Sequence, residues 1–427
     1  MSESRLADHI RNRSARVTVI GQGYVGLPLA VEFGRAGFRT TGLDTDLDRV
    51  TALNAGQSHS PDVDSNTLRS LIRDGRYEAT SDASVLEGSD VTIICVPTPL
   101  RKSKDPDISF VVAAAEKVAA RFRPDQLVIL ESTTYPGTTE ELLVPMFEAR
   151  GAFSPERIDP ANGKFSLGQI PKVVGGVTSA CSRMAALLYS QIIDRVLEVS
   201  SPKVAELAKL YENTFRNVNI ALANEFALMG RRLGVNIREV IEAAATKPFG
   251  FMPFYPGPGI GGHCIGIDPF YLAWKMRLNG YEFRFLHLAD EINRSMPEYV
   301  VELVTEALNG RRRCLNGAEI LVLGVAYKRG VGDIRESPSL EVIAKLQEKG
   351  AQVFYADPYV PSVVLDGNTL KAVDLTDRQL AGADCVVILT DHAEFDYRHI
   401  IETASLVVDT RNATWGIPAP ADRVVTL

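Results

Sequence analysis

The run Arg16-Val17-Thr18-Val19-Ile20 passes directly into Gly21-Gln22-Gly23-Tyr24-Val25-Gly26 and then into the helix-like stretch Leu27 to Ala36. A short apolar run, three glycines at that spacing and a helix together allow few architectures. The first glycine makes the turn, the second admits a pyrophosphate and the third lets the helix pack on the strand. The helix N-terminus favours the phosphate charge. Gly37 stands where a helix C-terminal glycine belongs, and Phe38 to Asp44 reads as the next strand. Asp44 lies 18 residues past Gly26, at a strand end where a carboxylate can bind a ribose 2′-hydroxyl and would repel a 2′-phosphate. NAD is therefore predicted over NADP. A bare glycine pattern is often a chance turn, but here strand, helix and Asp accompany it.

Strand-like runs recur at Val91 to Val96 and Leu127 to Leu130, alternating with helical stretches, as in a parallel doubly wound sheet. Ser201-Pro202 opens a different region, with Ser as a good N-cap and Pro tolerated at the first helical position. From there to Gly234 only Gly230 interrupts, so one long helix is predicted. Val204, Leu207, Tyr211, Phe215, Val218 and Leu222 recur at helical spacing and are expected to form its buried stripe. Glu319 to Gly324 begins a second α/β unit, with strands at Gln352 to Asp357, Cys385 to Thr390 and Leu406 to Asp409. The expected fold is α/β: two Rossmann-like doubly wound parallel sheets joined by a long central helix and a helical linker domain. At 427 residues the chain is too long for one core. The expected division is residues 1–200 for NAD, 201–308 as a central helical domain carrying the cysteine loop, and 309–427 as a second Rossmann-like domain.

A net charge of −7 argues against a nucleic-acid partner, which calls for a basic face. No apolar run approaches the roughly 20 residues of a membrane span, and Met1 to Arg16 reads as a frayed or helical polar arm rather than a leader. The five cysteines are scattered, odd in number and without metal-like spacing. That pattern fits a reducing, cytoplasmic compartment and predicts neither disulfides nor a metal. Cys95, Cys181, Cys314 and Cys385 sit in apolar contexts and read as core.

Cys264 differs. It follows Tyr255-Pro256-Gly257-Pro258-Gly259-Ile260-Gly261-Gly262-His263, and Asp268 lies four residues on. Glycines allow close backbone approach to a ligand, whereas a structural thiol behaves as a small hydrophobe and needs no such loop. Cys264 is read as a nucleophile, and His263 is given no role. Lys209, Asn213 and Arg216 form a polar row on the long helix: either a solvated face, or a lysine that stabilises an oxyanion and an amide that orients it. The loops Val96-Pro97-Thr98-Pro99 and Glu131-Ser132-Thr133-Thr134-Tyr135-Pro136-Gly137 follow strands and should face the cofactor, although each is also ordinary turn chemistry. Lys328, Arg335 and Arg411 follow strands of the second unit and suit a phosphorylated ligand, or are surface charges.

Together these residues resemble the nucleotide-sugar 6-dehydrogenase family, which oxidises UDP-hexoses to UDP-hexuronic acids with NAD. The resemblance runs from about Val17 to Arg411. The signature Gly261-Gly262-His263-Cys264 with Asp268 carries Ile267 where the UDP-glucose branch has Lys, and so looks like the branch acting on N-acetylated sugars. Lys247-Pro248-Phe249-Gly250-Phe251 and Pro256 to Gly259 look most like members acting on UDP-N-acetylglucosamine. Members acting on UDP-N-acetylmannosamine, UDP-N-acetylgalactosamine or UDP-glucose stay open. So does a two-electron sugar-acid dehydrogenase from another class, which would need no thiol.

The resemblance implies Cys264, Lys209, Asn213, Asp268, Glu156 and Thr133 as catalytic residues. It implies Gly21, Gly23, Tyr24, Val25, Gly26, Asp44, Arg49, Pro97, Thr98, Thr133 and Arg335 around the cofactor. Around the UDP-sugar it implies Glu156, Arg157, Lys209, Asn213, Arg216, Tyr255, Gly257, Gly261, Lys328 and Arg411, together with a homodimer through the central helix. It also implies a strand before Ser154-Pro155-Glu156, for which Gly151-Ala152-Phe153 leaves no room.

Overall fold

Alternating strand and helix segments assemble, in a computed structural model of the chain, into two separate and mainly parallel sheets. The structure describes residues 3–101, 103–123, 126–147, 152–153, 167–262, 264–420 and 422–427. The chain divides into two compact units, Met1–Glu212 with Phe270–Tyr281, and Asn213–Pro269 with Glu282–Leu427.

The first unit holds β1 (Arg16–Ile20), β2 (Arg39–Leu43), β3 (Tyr77–Thr80), β4 (Val91–Ile94), β5 (Leu127–Leu130), β6 (Ala152–Phe153), β7 (Lys172–Gly176) and β8 (Val196–Val199). Their order is β3-β2-β1-β4-β5-β6-β7-β8. The strand before Ser154, for which the sequence left no room, is therefore present. It is β6, only two residues long, parallel to β5 and antiparallel to β7. A linker too short for an ordinary strand still completes the sheet, because two residues suffice to bridge its neighbours.

The helices in chain order are α1 (Glu3–Arg11), α2 (Gly26–Arg35), α3 (Leu47–Asn54), α4 (Ser65–Arg73), α5 (Ser109–Ala119), α6 (Val144–Phe147), α7 (Ser179–Tyr189), α8 (Pro202–Leu233), α9 (Ile237–Ala245), α10 (Asp268–Leu278), α11 (Arg284–Gly310), α12 (Pro338–Glu348), α13 (Asp377–Gly382) and α14 (Tyr397–Thr403). The N-terminal arm is the helix α1, pinned by buried Leu6 and Ile10. Alternation along the strands sends Val17, Val19, Ile93 and Ile129 into one core with Leu29 and Phe33, and Ile20, Ile94, Val128 and Leu130 into another with Val111 and Phe147. Such two-faced burial makes parallel strands continuously apolar.

The second unit holds β9 (Glu319–Leu323), β10 (Gln352–Ala356), the hairpin β11 (Ser362–Leu365) and β12 (Asn368–Lys371), then β13 (Cys385–Ile388), β14 (Val407–Asp409) and β15 (Val424–Thr426). Its parallel sheet runs β10-β9-β13-β14-β15. Val300 and Val304 of α11 with Val342 and Ile343 of α12 cover one face, and Leu380 and Ile400 cover the other.

α8 is one continuous helix, as its sequence predicts, but it buries the opposite face. Val204, Leu207, Tyr211, Phe215 and Leu222 are exposed and Val218 is half-buried, while Ala205, Glu206, Lys209, Leu210, Asn213, Asn217, Ala221 and Asn224 are buried. The buried glutamate and asparagines of this face have partners. Glu206 accepts from the amides of Gly137 and Thr139, and the asparagines hold the cysteine loop. One further correction concerns Cys314, which is exposed in the turn after α11 rather than part of the core.

Candidate active site

The cofactor half-site is built at the carboxyl ends of β1, β2, β4 and β5. Gly21 adopts a φ of +89°, and a Cβ there would lie 2.5 Å from the Cys95 carbonyl oxygen. A Cβ at Gly26 would fall 1.8 Å from the Gly21 oxygen, so α2 can start this close to β1 only with glycine. Around Gly23 there is nothing within 4 Å of such a Cβ, which leaves the open cradle a pyrophosphate needs. Val25 offers no side-chain cap to α2, whose N-terminus and its dipole favour an anion there.

Asp44 Oδ2 accepts from the Gln22 amide at 2.7 Å, and Oδ1 accepts from the Asp46 amide at 3.0 Å. Arg49 Nη1 donates to Oδ2 at 3.0 Å. Burial opposes ionisation of Asp44, but the amides of Asp46 and Gln22 together with Arg49 outweigh it and hold the carboxyl below its ordinary value. Position 44 is thus a fixed anion facing the glycine turn, which fits the ribose of NAD. Tyr24 is exposed and meets His59 edge-on at 6.1 Å between ring centroids, and Val25 packs on the core beneath the turn. Pro97 is exposed and Thr98 buried after β4, and Thr133 is half-buried after β5. Ser132 Oγ donates to the Val96 carbonyl at 2.7 Å and ties the two loops together. Tyr271 OH donates to the Pro99 carbonyl at 3.1 Å.

The thiol half-site lies in the second unit. Cys264 is exposed, and its carbonyl accepts from the Asp268 amide at 2.9 Å, closing a turn into α10. The Asp268 carboxylate is buried and accepts from Asn213 Nδ2 at 2.6 Å. Asn213 is the first of a buried ladder on α8. Asn217 Nδ2 donates to the Ile265 carbonyl at 3.0 Å, and Asn224 Oδ1 accepts from the Gly257 amide at 2.9 Å. Asn224 Nδ2 donates to Asn293 Oδ1 at 2.9 Å. Asn217, Asn224 and Asn293 were not singled out from sequence, although Asn217 and Asn224 continue the row of Lys209 and Asn213. A buried amide survives only when partnered, so these contacts fix the loop on both sides of Cys264.

On its other side the loop meets the second sheet's strand ends. The Gly262 amide donates to the Arg335 carbonyl at 3.0 Å, and Cβ atoms at Gly261 and Gly262 would strike Tyr327 at 2.6 and 2.9 Å. Gly257 lies against Arg411, whose Nε donates to the Leu389 carbonyl at 3.0 Å. The loop thereby brings Gly257, Gly261, Asn213, Asp268 and Arg411 into one neighbourhood with Cys264. Lys328 is half-buried beside Tyr327. Arg335 is exposed and paired with Asp333 at 2.6 Å. Tyr255 donates to Glu242 at 3.1 Å, and Arg238 lies over its ring. Lys209 is buried, whereas Arg216, expected in the same row, is exposed. Glu156, Arg157 and His263 lie outside the described residues.

Residues 15–193 match the NAD binding domain of the UDP-glucose/GDP-mannose dehydrogenase family, residues 203–295 its central domain and residues 321–415 its UDP binding domain. A UDP-N-acetyl-D-glucosamine 6-dehydrogenase of Pseudomonas aeruginosa is 38% identical over 396 residues, covering 90% of this chain and 92% of that relative. A UDP-N-acetyl-D-mannosamine dehydrogenase of Pyrococcus horikoshii is 36% identical over 391 residues, covering 89% of this chain and 90% of the relative. A solved structure of a UDP-D-ManNAc dehydrogenase from Pyrococcus horikoshii superposes with a TM-score of 0.87 at 34% identity, covering 96% of this chain and 98% of that one. With matches spanning both sheets and the helices between them, the chain belongs to the UDP-glucose/GDP-mannose dehydrogenase family and is an NAD-dependent oxidoreductase acting on a nucleotide sugar.

Proposed function

We propose that the chain oxidises the C6 hydroxyl of UDP-N-acetylglucosamine to the uronic acid, a four-electron reaction through a thioester on Cys264. The observation that carries this reading is the exposed Cys264 beside a buried Asn213–Asp268 pair, in a loop fixed by asparagines. A two-electron alcohol dehydrogenase has no use for such a thiol. Relatives named for the N-acetylglucosamine and the N-acetylmannosamine compounds are about equally similar, so the manno epimer is the second reading. The preference for the gluco compound rests on the stretches 247–251 and 256–259.

NAD, when bound, accepts the hydride in each of the two oxidations. In the first, C6 loses a hydride and its hydroxyl a proton, leaving an aldehyde. The Cys264 thiolate then adds to C6; a C–S bond forms and the carbonyl electron pair moves to oxygen. Lys209 and Asn213 stabilise that oxyanion. Loss of a second hydride from C6 collapses the oxyanion to the thioester. Water, polarised with help from Asp268, Glu156 and Thr133, attacks C6; the C–S bond breaks and the thiolate is restored. Splitting a hard step in two also keeps the aldehyde from diffusing away. The segments 1–200, 201–308 and 309–427 divide the work into cofactor binding, dimerisation with the thiol loop, and UDP-sugar binding. Arg157, Arg216, Tyr255, Gly257, Gly261, Lys328 and Arg411 are assigned to the UDP-sugar, and Arg335 to the cofactor.

The uncovered apolar face of α8 supports a homodimer through this helix, since contiguous exposed apolar surface marks an association site. Among the described residues no helix is long and apolar enough to cross a membrane, and a cytoplasmic location is proposed.

The test is the number of NADH formed per UDP-N-acetylglucosamine consumed, with mass analysis of the product. Two NADH and a product carrying COOH in place of CH2OH are expected; one NADH would overturn the role of Cys264. Activity confined to the manno compound would keep the chemistry and change the sugar. Cys264→Ala should form no uronic acid while still binding NAD by titration, and full turnover by that variant would end the covalent scheme.

A further inference from the structure

The stretch after β9, residues 325–333, carries Lys328 and is held by several side chains, three of them from the segments after β13 and β14. Thr390 Oγ1 donates to the Ala326 carbonyl, Arg411 Nη2 reaches the Tyr327 carbonyl at 3.5 Å, and the Gly330 amide donates to His392 Nδ1 at 3.1 Å. The last grip lies beyond Lys328 in sequence, where Arg329 also faces Asp391 at 3.7 Å and the Asp333 carbonyl accepts from the Tyr327 amide at 3.0 Å. The Gly330 amide is an obligatory donor, so Nδ1 must present its lone pair and the ring proton sits on Nε2. From there it is donated to Asp357 Oδ2 at 3.1 Å. The imidazole is completely buried, and Tyr397 OH donates to the His392 carbonyl at 2.8 Å.

Neither end of this bridge is needed to satisfy a buried group. Asp357 is already saturated: Oδ2 accepts from the amides of Val325 and Ala326 at 2.8 and 3.2 Å, and Oδ1 accepts from those of Tyr359 and Val360 at 2.8 and 3.1 Å. Gly330 is exposed, so water would serve its N–H equally well. What the bond adds is a tether from the far end of the Lys328 loop to a fully buried ring in the segment after β13.

We propose that His392 is a positioning residue that latches the Lys328 loop through Gly330 and thereby sets affinity for the nucleoside diphosphate of the substrate. The proposal rests on the reading that Lys328 holds the UDP-sugar. It separates the two ring nitrogens, because a glutamine amide overlays Nε2 and keeps the Asp357 contact, whereas an asparagine amide oxygen overlays Nδ1 and keeps the Gly330 contact.

The experiment is UDP titration of the full-length protein carrying His392→Gln, His392→Asn or Lys328→Ala, with KM and kcat for the UDP-sugar and hydrogen exchange of residues 327–333. One lost hydrogen bond of about 1.4 kcal/mol corresponds to roughly tenfold in affinity. His392→Gln should weaken UDP binding and raise KM by about that factor, with kcat little changed and faster exchange in the loop. His392→Asn should restore all three toward wild type. Equal weakening by Gln and Asn, or by neither, overturns the latch. If His392→Gln fails to fold, faster loop exchange in His392→Asn than in wild type overturns it too. If Lys328→Ala binds UDP normally, the substrate reading of this loop falls and the proposal with it. If Lys328→Ala weakens binding and His392→Gln does not, the latch alone falls.

Discussion

Gly257 and Gly266 belong to the same glycine-rich stretch but differ in what a side chain would meet. A Cβ at 257 would stand 2.5 Å from Arg411 Nη1, and that guanidinium is tethered to the Leu389 carbonyl. A Cβ at 266 meets nothing within 4 Å, and its φ is not positive. Gly257→Ala should therefore displace Arg411 and raise the KM for the UDP-sugar by about tenfold, a loss of roughly 1.4 kcal/mol of binding, with kcat less affected. Gly266→Ala should stay within about twofold of wild type. Steady-state kinetics on both variants decides, and equal effects would mean that Arg411 does not contact the sugar nucleotide. These contacts also show what a sequence can carry at this scale. The exposure of Cys264 in its loop was readable because a thiol set among glycines has no apolar run to bury it. The asparagines holding the loop were not, because Asn217 and Asn224 on a long helix look like an ordinary solvated row. Only their burial gives them away.

At the scale of elements, α8 was legible in length and periodicity but not in orientation. A 3.6-residue apolar repeat states that one face is apolar, not that the same chain covers it. Here the chain covers the polar face instead, with Glu206 and Asn224 bonded to backbone and Asn213 to the Asp268 carboxylate. That leaves Tyr211 71% and Leu222 49% exposed. Short elements failed for another reason: β6 has two residues and β3 reads Tyr77-Glu78-Ala79-Thr80, too little pattern for a period of two to register. The doubly wound sheets were legible because their central strands are mostly apolar. If α8 is the seam of a dimer, charges on it should split the assembly without unfolding the protomer. Leu222→Lys with Tyr211→Glu should sediment at half the wild-type mass while keeping its far-UV circular dichroism. A wild-type protein that is itself monomeric would end the dimer reading, and a double variant that stays dimeric would end the reading of α8 as its seam.

For the whole molecule, acid is the condition that reaches both units through buried carboxylates. Asp44 in the first and Asp357 in the second are each opposed by burial, yet hydrogen bonds outweigh it. Asp357 gains from His392 and from the amides of Val325 and Tyr359, and both carboxyls titrate below their ordinary value. A folded-state pKa below the unfolded one means stability that is present above the ordinary carboxylate range and lost as pH falls through the folded value. Glu206 works the other way. Burial raises its pKa despite the amides of Gly137 and Thr139, so the first unit gains from that group as pH descends from neutral toward the carboxylate range, before Asp44 begins to fail. The first unit thus carries two opposed responses and the second, in Asp357, a simple acid limb. Asp357→Asn should melt at a lower temperature than wild type at neutral pH, because an amide repels some of the donors that now bind the carboxylate. The two melting curves should then converge as pH is lowered toward 3, where wild type has lost what the variant never had. Calorimetry across that range reads it directly. A constant difference at every pH would mean that Asp357 is held by packing and that its charge does nothing for the second sheet.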